Sequence, residues 1–172
     1  MIYLFIIICV CVYMLAPDAL AWGVTADTLP MAFSYQFVHA SWQHLLVNSM
    51  SLALMFNPIF GLYEKRFEGG SKLSFFLAMY AGSVLAALFT ATSTPTVGAS
   101  GMAFFLLGVF LMLQPTMRTV KNFIFVGIAI LVQIIRGNSN VALHIVAFVF
   151  GCLYIIITLL CKKEYLKSEN LD

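Results

Sequence analysis

The stretch GASGMAFFLLGVFLML, residues 98–113, decides how this chain is read. Ser100 follows Gly98 and Ala99, precedes Gly101, and opens a run without a polar side chain from residue 102 to residue 113. A hydroxyl taken into hydrocarbon needs a hydrogen-bonding partner, and small neighbours let another helix come close enough to supply one. Pro95 and Pro115 punctuate the two ends of the run. At a rise of about 1.5 Å per residue, a helix of this length falls short of a hydrocarbon layer roughly 30 Å thick. If it begins at Ser100, its free N–H groups must be buried in protein or open to water, because lipid cannot satisfy them. A short central helix ringed by longer ones leaves a water-filled dent in the membrane.

The rest of the chain supports a membrane setting. Of its 172 residues, 62% are hydrophobic and 9% charged, far from the roughly 45–50% apolar content of soluble domains. No linker, low-complexity tract or repeat divides it, so residues 1–172 read as a single domain. No basic patch is interleaved with aromatic residues, which argues against a nucleic-acid partner. Cys9, Cys11, Cys152 and Cys161 all lie in apolar runs. Without zinc-ligand spacing to a histidine, they read as small packing residues and imply no disulfide framework.

Six apolar spans stand out, at residues 2–16, 42–63, 73–91, 98–113, 122–135 and 141–161. The expected fold is therefore an all-α membrane protein of six transmembrane helices with a short central fourth. Pro58 lies late in the second span, where a kink or an early exit is open. Lys65, Arg66, Lys72, Arg118, Lys121, Lys162, Lys163 and Lys167 fall on one side of this arrangement, and of the nine basic residues only Arg136 falls on the other. The basic side is expected in the cytoplasm together with both termini. The segment PDALAWG, residues 17–23, resembles a signal-peptidase site. Met1, Ile2 and Tyr3 lack the basic character of a signal peptide, which favours a retained first span.

Polar residues at membrane depth are functional candidates, and the set is small: His39, His44, Asn48, Ser100 and His144. His44 and Asn48 are four apart and share a helix face. His144, Ala147 and Gly151 form a narrow face that suits close packing. A serine is a weak nucleophile unless a base lies within hydrogen-bond reach. His144 can be that base if the sixth span packs on the fourth, an approach that Gly98 and Gly101 permit. The Ser100 N–H, at a helix N-terminus, could join His44 and Asn48 as oxyanion donors. No embedded carboxylate offers a third member, so the unit would be a dyad. Other readings stay open at this point. Serines flanked by small residues are common at helix contacts, and membrane histidines often bond a carbonyl. Three histidines are also a possible metal-ligand set, although His39 and His44 stand about 140° apart around a helix, which suits joint ligation poorly.

GASG (residues 98–101), HASWQHLLVN (residues 39–48) and LHIVAFVFG (residues 143–151) occur in the order found in rhomboid intramembrane serine proteases, which the chain resembles. YEKRFEGGSK, residues 63–72, is similar to the Glu-x-Arg segment after that family's second helix. The resemblance implies Ser100 as nucleophile, His144 as general base, and His44 and Asn48 beside the Ser100 N–H as oxyanion donors, with Glu64 and Arg66 structural. It further implies a multi-pass protein of the cell (inner) membrane whose active site opens outward. Its substrates would be single-pass transmembrane proteins, and neither cofactor nor metal is implied. Departures are visible as well. Ala147 stands where the family usually has glycine, Phe104 where it often has tyrosine, and Pro30-Met31 where it has Trp-Arg. The segment from Asn48 to Glu64 is several residues longer. Two other classes compete: a non-catalytic relative that binds transmembrane helices, and a small transporter with a histidine proton relay. The four retained polar residues speak against the first. The missing intramembrane acid and half-chain symmetry speak against the second.

Overall fold

A computed structural model describes residues 1–16, 18, 20–114, 127 and 140–169, with side chains in the last stretch as far as residue 163. The described residues form five α-helices: α1 (Ile2–Leu15), α2 (Trp42–Arg66), α3 (Lys72–Thr90), α4 (Ser100–Leu113) and α5 (Val141–Glu169). Three short 3₁₀ turns, Leu20–Trp22, Leu29–Phe33 and Tyr35–Phe37, lie between α1 and α2. α5 is the sixth of the expected spans. The fifth, residues 122–135, lies outside the described residues except for Gly127. Among the described helices, α2, α3 and α5 are long and apolar enough to cross a membrane, while α1 and α4 are shorter apolar helices.

Local chemistry sets several of the boundaries. The Ser41 hydroxyl accepts the His44 N–H at 3.2 Å and starts α2; the Ser71 hydroxyl accepts the Ser74 N–H at 3.4 Å and starts α3. Pro58 does not end α2, which runs through it to Arg66. Proline removes one backbone bond from a 25-residue helix, and the buried Phe56, Ile59 and Phe60 around it hold the backbone in place. α5 continues to Glu169, past the expected end at residue 161. Apolar sequence marks the limit of hydrocarbon, whereas helical hydrogen bonds persist in water.

α4 is the centre of the molecule, and it packs against α5, α2 and α3. It is apolar all round and buried nearly all round, as such a helix must be. Its contact with α5 is a reciprocal pair of glycines. A Cβ on Gly108 would collide with the Phe148 carbonyl, and one on Gly151 with the Phe105 carbonyl. At the other crossing, Gly82 of α3 makes room for the Phe105 ring. α1 leans on α2 and on the turn Tyr35–Phe37.

The two ends of the bundle differ. At one end the Lys162 ammonium donates to the Arg66 carbonyl at 3.5 Å, so the basic ends of α2 and α5 adjoin. The Lys72 ammonium lies there too, 5.8 and 5.5 Å from the centroids of Phe56 and Phe60, and the Glu64 and Arg66 side chains are exposed. At the other end the segment before α2 is stitched to the turn before α4. Val24 and Thr96 exchange two backbone hydrogen bonds at 3.0 Å, and the Ala26 N–H donates to the Thr92 carbonyl at 2.8 Å. The Tyr80 hydroxyl donates to the Phe33 carbonyl and ties the same segment to α3.

Candidate active site

Ser100 is the first residue of α4, and no side chain caps that helix. The Met102 N–H turns back to the Ala99 carbonyl at 3.1 Å, which leaves the Ser100 and Gly101 N–H groups at the end where the helix dipole favours negative charge. The turn delivering Ser100 depends on Gly98, whose φ of 104° side chains rarely tolerate. The Gly98 N–H donates to the Tyr35 carbonyl at 2.9 Å.

The described geometry brings Ser100 and His144 together. His144 Nε2 and Ser100 Oγ are 2.8 Å apart, a hydrogen bond between α5 and α4. Ser100 is half-buried, while His144 is 4% exposed. With Nε2 as acceptor, the ring proton resides on Nδ1, which finds no hydrogen-bond partner among the described residues. The Phe104 ring, one turn below Ser100, stacks on the imidazole with centroids 4.4 Å apart. Such a pair can move the hydroxyl proton onto nitrogen as oxygen attacks an electrophile.

His44 and Asn48 converge on the same turn. A Cβ on Gly98 would lie 2.6 Å from His44 Nε2 and 2.9 Å from Asn48 Nδ2, so only glycine leaves space for these two side chains. Asn48 is buried, and its Nδ2 has no partner among the described residues. A buried donor left unpaired is costly. His39 packs edge-on to His44, ring centroids 5.2 Å apart. Among the described residues, no group of three histidine, cysteine or acidic side chains is placed to hold a metal.

A family model for the Rhomboid domain matches residues 27–161. The chain belongs to the rhomboid family. No curated protein matches it. Serine intramembrane proteases make up the family in general, and the apolar helices make this rhomboid a multi-pass membrane protein.

Two features of the rhomboid site differ from the sequence-based expectation. From sequence, Gly98 and Gly101 both admit the last span to the fourth. Gly98 instead admits α2, while Gly101 admits Leu143 of α5 together with the Ser83 and Tyr35 hydroxyls. The narrow face of α5 does meet α4, but the backbones touch at Gly151. Ala147 is fully buried in a cluster with Val84, Ala86 and Ala87 of α3 and Phe104 of α4. Sequence reasoning also missed a scaffold of polar residues. The Tyr35 hydroxyl bonds Ser83 Oγ at 2.7 Å beneath the Gly101 backbone. Asn140 holds the start of α5. An asparagine directly before an apolar span is a helix-capping signal that could have drawn attention to it; for Tyr35 the sequence carries none.

Proposed function

We propose that this rhomboid is an intramembrane serine protease that hydrolyses peptide bonds in or near the transmembrane segments of other proteins. The observation that carries the reading is the 2.8 Å hydrogen bond between Ser100 Oγ and His144 Nε2. In the proposed reaction Ser100 Oγ bonds to the carbonyl carbon of the scissile peptide, and its proton passes to His144 Nε2. The carbonyl oxygen becomes negative and is met by the Ser100 N–H, His44 and Asn48. The C–N bond then breaks as His144 returns the proton to the leaving amine. Water, activated by the same imidazole, hydrolyses the acyl-enzyme and restores Ser100. The chemistry calls for no metal or cofactor.

The setting of the reaction belongs to the same proposal. In a six-helix bundle, longer helices surround the short α4 and let water reach Ser100 from the outer face of the cell (inner) membrane. Lys65, Arg66, Lys72, Lys162 and Lys163 hold the opposite end, with both termini, in the cytoplasm. Substrates are single-pass membrane proteins whose helix is weak near the outer face, since a fully hydrogen-bonded helix cannot present an extended bond to a nucleophile.

A fluorophosphonate tests the reading directly. Purified protein in liposomes should be labelled at Ser100 and should cleave a single-pass substrate, and Ser100→Ala and His144→Ala should do neither while remaining inserted. As members of one unit they should not be additive, so the double variant should be no worse than either single. Unlabelled wild-type protein that still retains transmembrane helices would instead identify a non-catalytic relative.

A further inference from the structure

We infer that Asn140 is a positioning residue that fixes where His144 stands relative to Ser100; the inference rests on the protease reading and deepens it. Asn140 immediately precedes α5, and its Oδ1 accepts the Leu143 N–H at 3.1 Å, the bond of a helix cap. Capping alone would be served equally well by serine, threonine or aspartate. The amide does more. Its Nδ2 donates to the Thr90 carbonyl at 3.0 Å and to Thr96 Oγ1 at 3.2 Å. Of the usual capping side chains only asparagine supplies one acceptor and two donors from a single planar group.

Each partner is a fixed point. Thr90 is the last residue of α3, where a carbonyl has no intrahelical donor. Thr96 is paired through its backbone with Val24 and leads through Gly98 to Ser100. The His144 N–H bonds the Asn140 carbonyl at 3.4 Å, so the imidazole lies one helical turn beyond the amide. One side chain therefore ties the start of α5 to the end of α3 and to the turn that delivers the nucleophile. Sliding or rotating α5 would break both donor bonds, and a displacement of about 1 Å at reacting atoms can cost roughly 10²-fold in rate.

Four variants separate positioning from capping: Asn140→Ala, Asn140→Ser, Thr96→Val and the double Asn140→Ser/Thr96→Val. The readouts are the rate of fluorophosphonate labelling, kcat and KM on a transmembrane substrate, and thermal stability in micelles. Asn140→Ala should lose both stability and rate. Asn140→Ser restores the cap, so its stability should return while labelling and kcat stay about 10- to 100-fold down and KM holds near the wild-type value. Thr96→Val should show a smaller loss, and adding it to Asn140→Ser should change little, because both remove the same bond. If Asn140→Ser labels and turns over like wild type, Asn140 is a cap and the inference falls alone. If wild type itself is neither labelled nor active, the protease reading fails and takes the inference with it. Should Asn140→Ala fail to insert, the serine and valine variants decide the matter by themselves.

Discussion

The Phe104 ring lies almost parallel to the His144 imidazole, with the planes 11° apart. Ser100 and Phe104 are four residues apart on α4, so the hydroxyl and the ring that supports its partner rise from one helix face. Stacking restrains rotation of the imidazole and keeps Nε2 aimed at Ser100. Aromatic pairs are worth about 0.5–1.5 kcal/mol beyond the area they bury, so losing the ring should cost about 2- to 10-fold in kcat. Phe104→Tyr should keep the wild-type kcat, and Phe104→Leu, which fills the volume without a ring, should show that loss. Equal kcat for the leucine and wild-type proteins would show that the ring is filler.

Asn48 offers a test in which stability and rate part company. Its Nδ2 makes no hydrogen bond among the described residues, so removing it breaks none there. Asn48→Ala should leave thermal stability unchanged or slightly raised, while kcat falls by about 10²-fold or less and KM moves little. Steady-state kinetics beside a melting curve checks both halves. A variant with lowered stability and normal kcat would make Asn48 a structural residue.

Gly151 and Ala147 lie on the same face of α5 yet should respond differently. A methyl at Gly151 meets the Phe105 backbone carbonyl, which cannot swing aside. Gly151→Ala should therefore destabilise the α4–α5 contact by about 1–3 kcal/mol and reduce cleavage with it. Ala147→Gly should be tolerated, since glycine loses only about 1 kcal/mol of helix propensity. Ala147→Leu should overpack the cluster with α3 and Phe104 and lose most activity. Melting temperatures and cleavage rates of the three proteins establish the order, which a fully active Ala147→Leu would upset.

His39 gives the fold an acid limit. It is 1% exposed, and burial, aided by the neighbouring His44 ring, pushes its imidazole down to about 4. In the unfolded chain the ordinary value is about 6.5. Between these two values the unfolded state binds more protons, so stability falls as pH drops from about 6.5 towards 4. Thermal unfolding in micelles across this range should show that slope, and His39→Gln should flatten it. An unchanged slope in the variant would move the effect to another group.

The start of α4 at Ser100, the apolar helices on either side, and the serine–histidine pairing could all be read from residue type and spacing. Those features are local, or depend on a few polar residues with few places to go in hydrocarbon. The identity of neighbours was harder to read. Gly98 announces that something comes close, but not that it is His44 and Asn48 rather than α5. Tyr35 and Ser83 look unremarkable in sequence because their hydrogen bond exists only once the segment before α2 docks on α3. Pro58 raises the question of a break that the packing of Phe56 and Phe60 then answers.

The contacts that build the site close long stretches of chain: 44 residues from Ser100 to His144, 48 from Tyr35 to Ser83, and 50 from Thr90 to Asn140. Helices in a bilayer satisfy their own backbones locally, whereas these closures come afterwards and bear the entropy of a long loop. On the proposed reading, inserted helices alone are then chemically silent, and Ser100 meets His144 only when α5, the last described helix to be synthesised, settles against α4. Mild denaturation should retrace that order, extinguishing fluorophosphonate labelling while helical ellipticity persists. Coincident loss of the two signals would mean that insertion and assembly of the site are a single cooperative event.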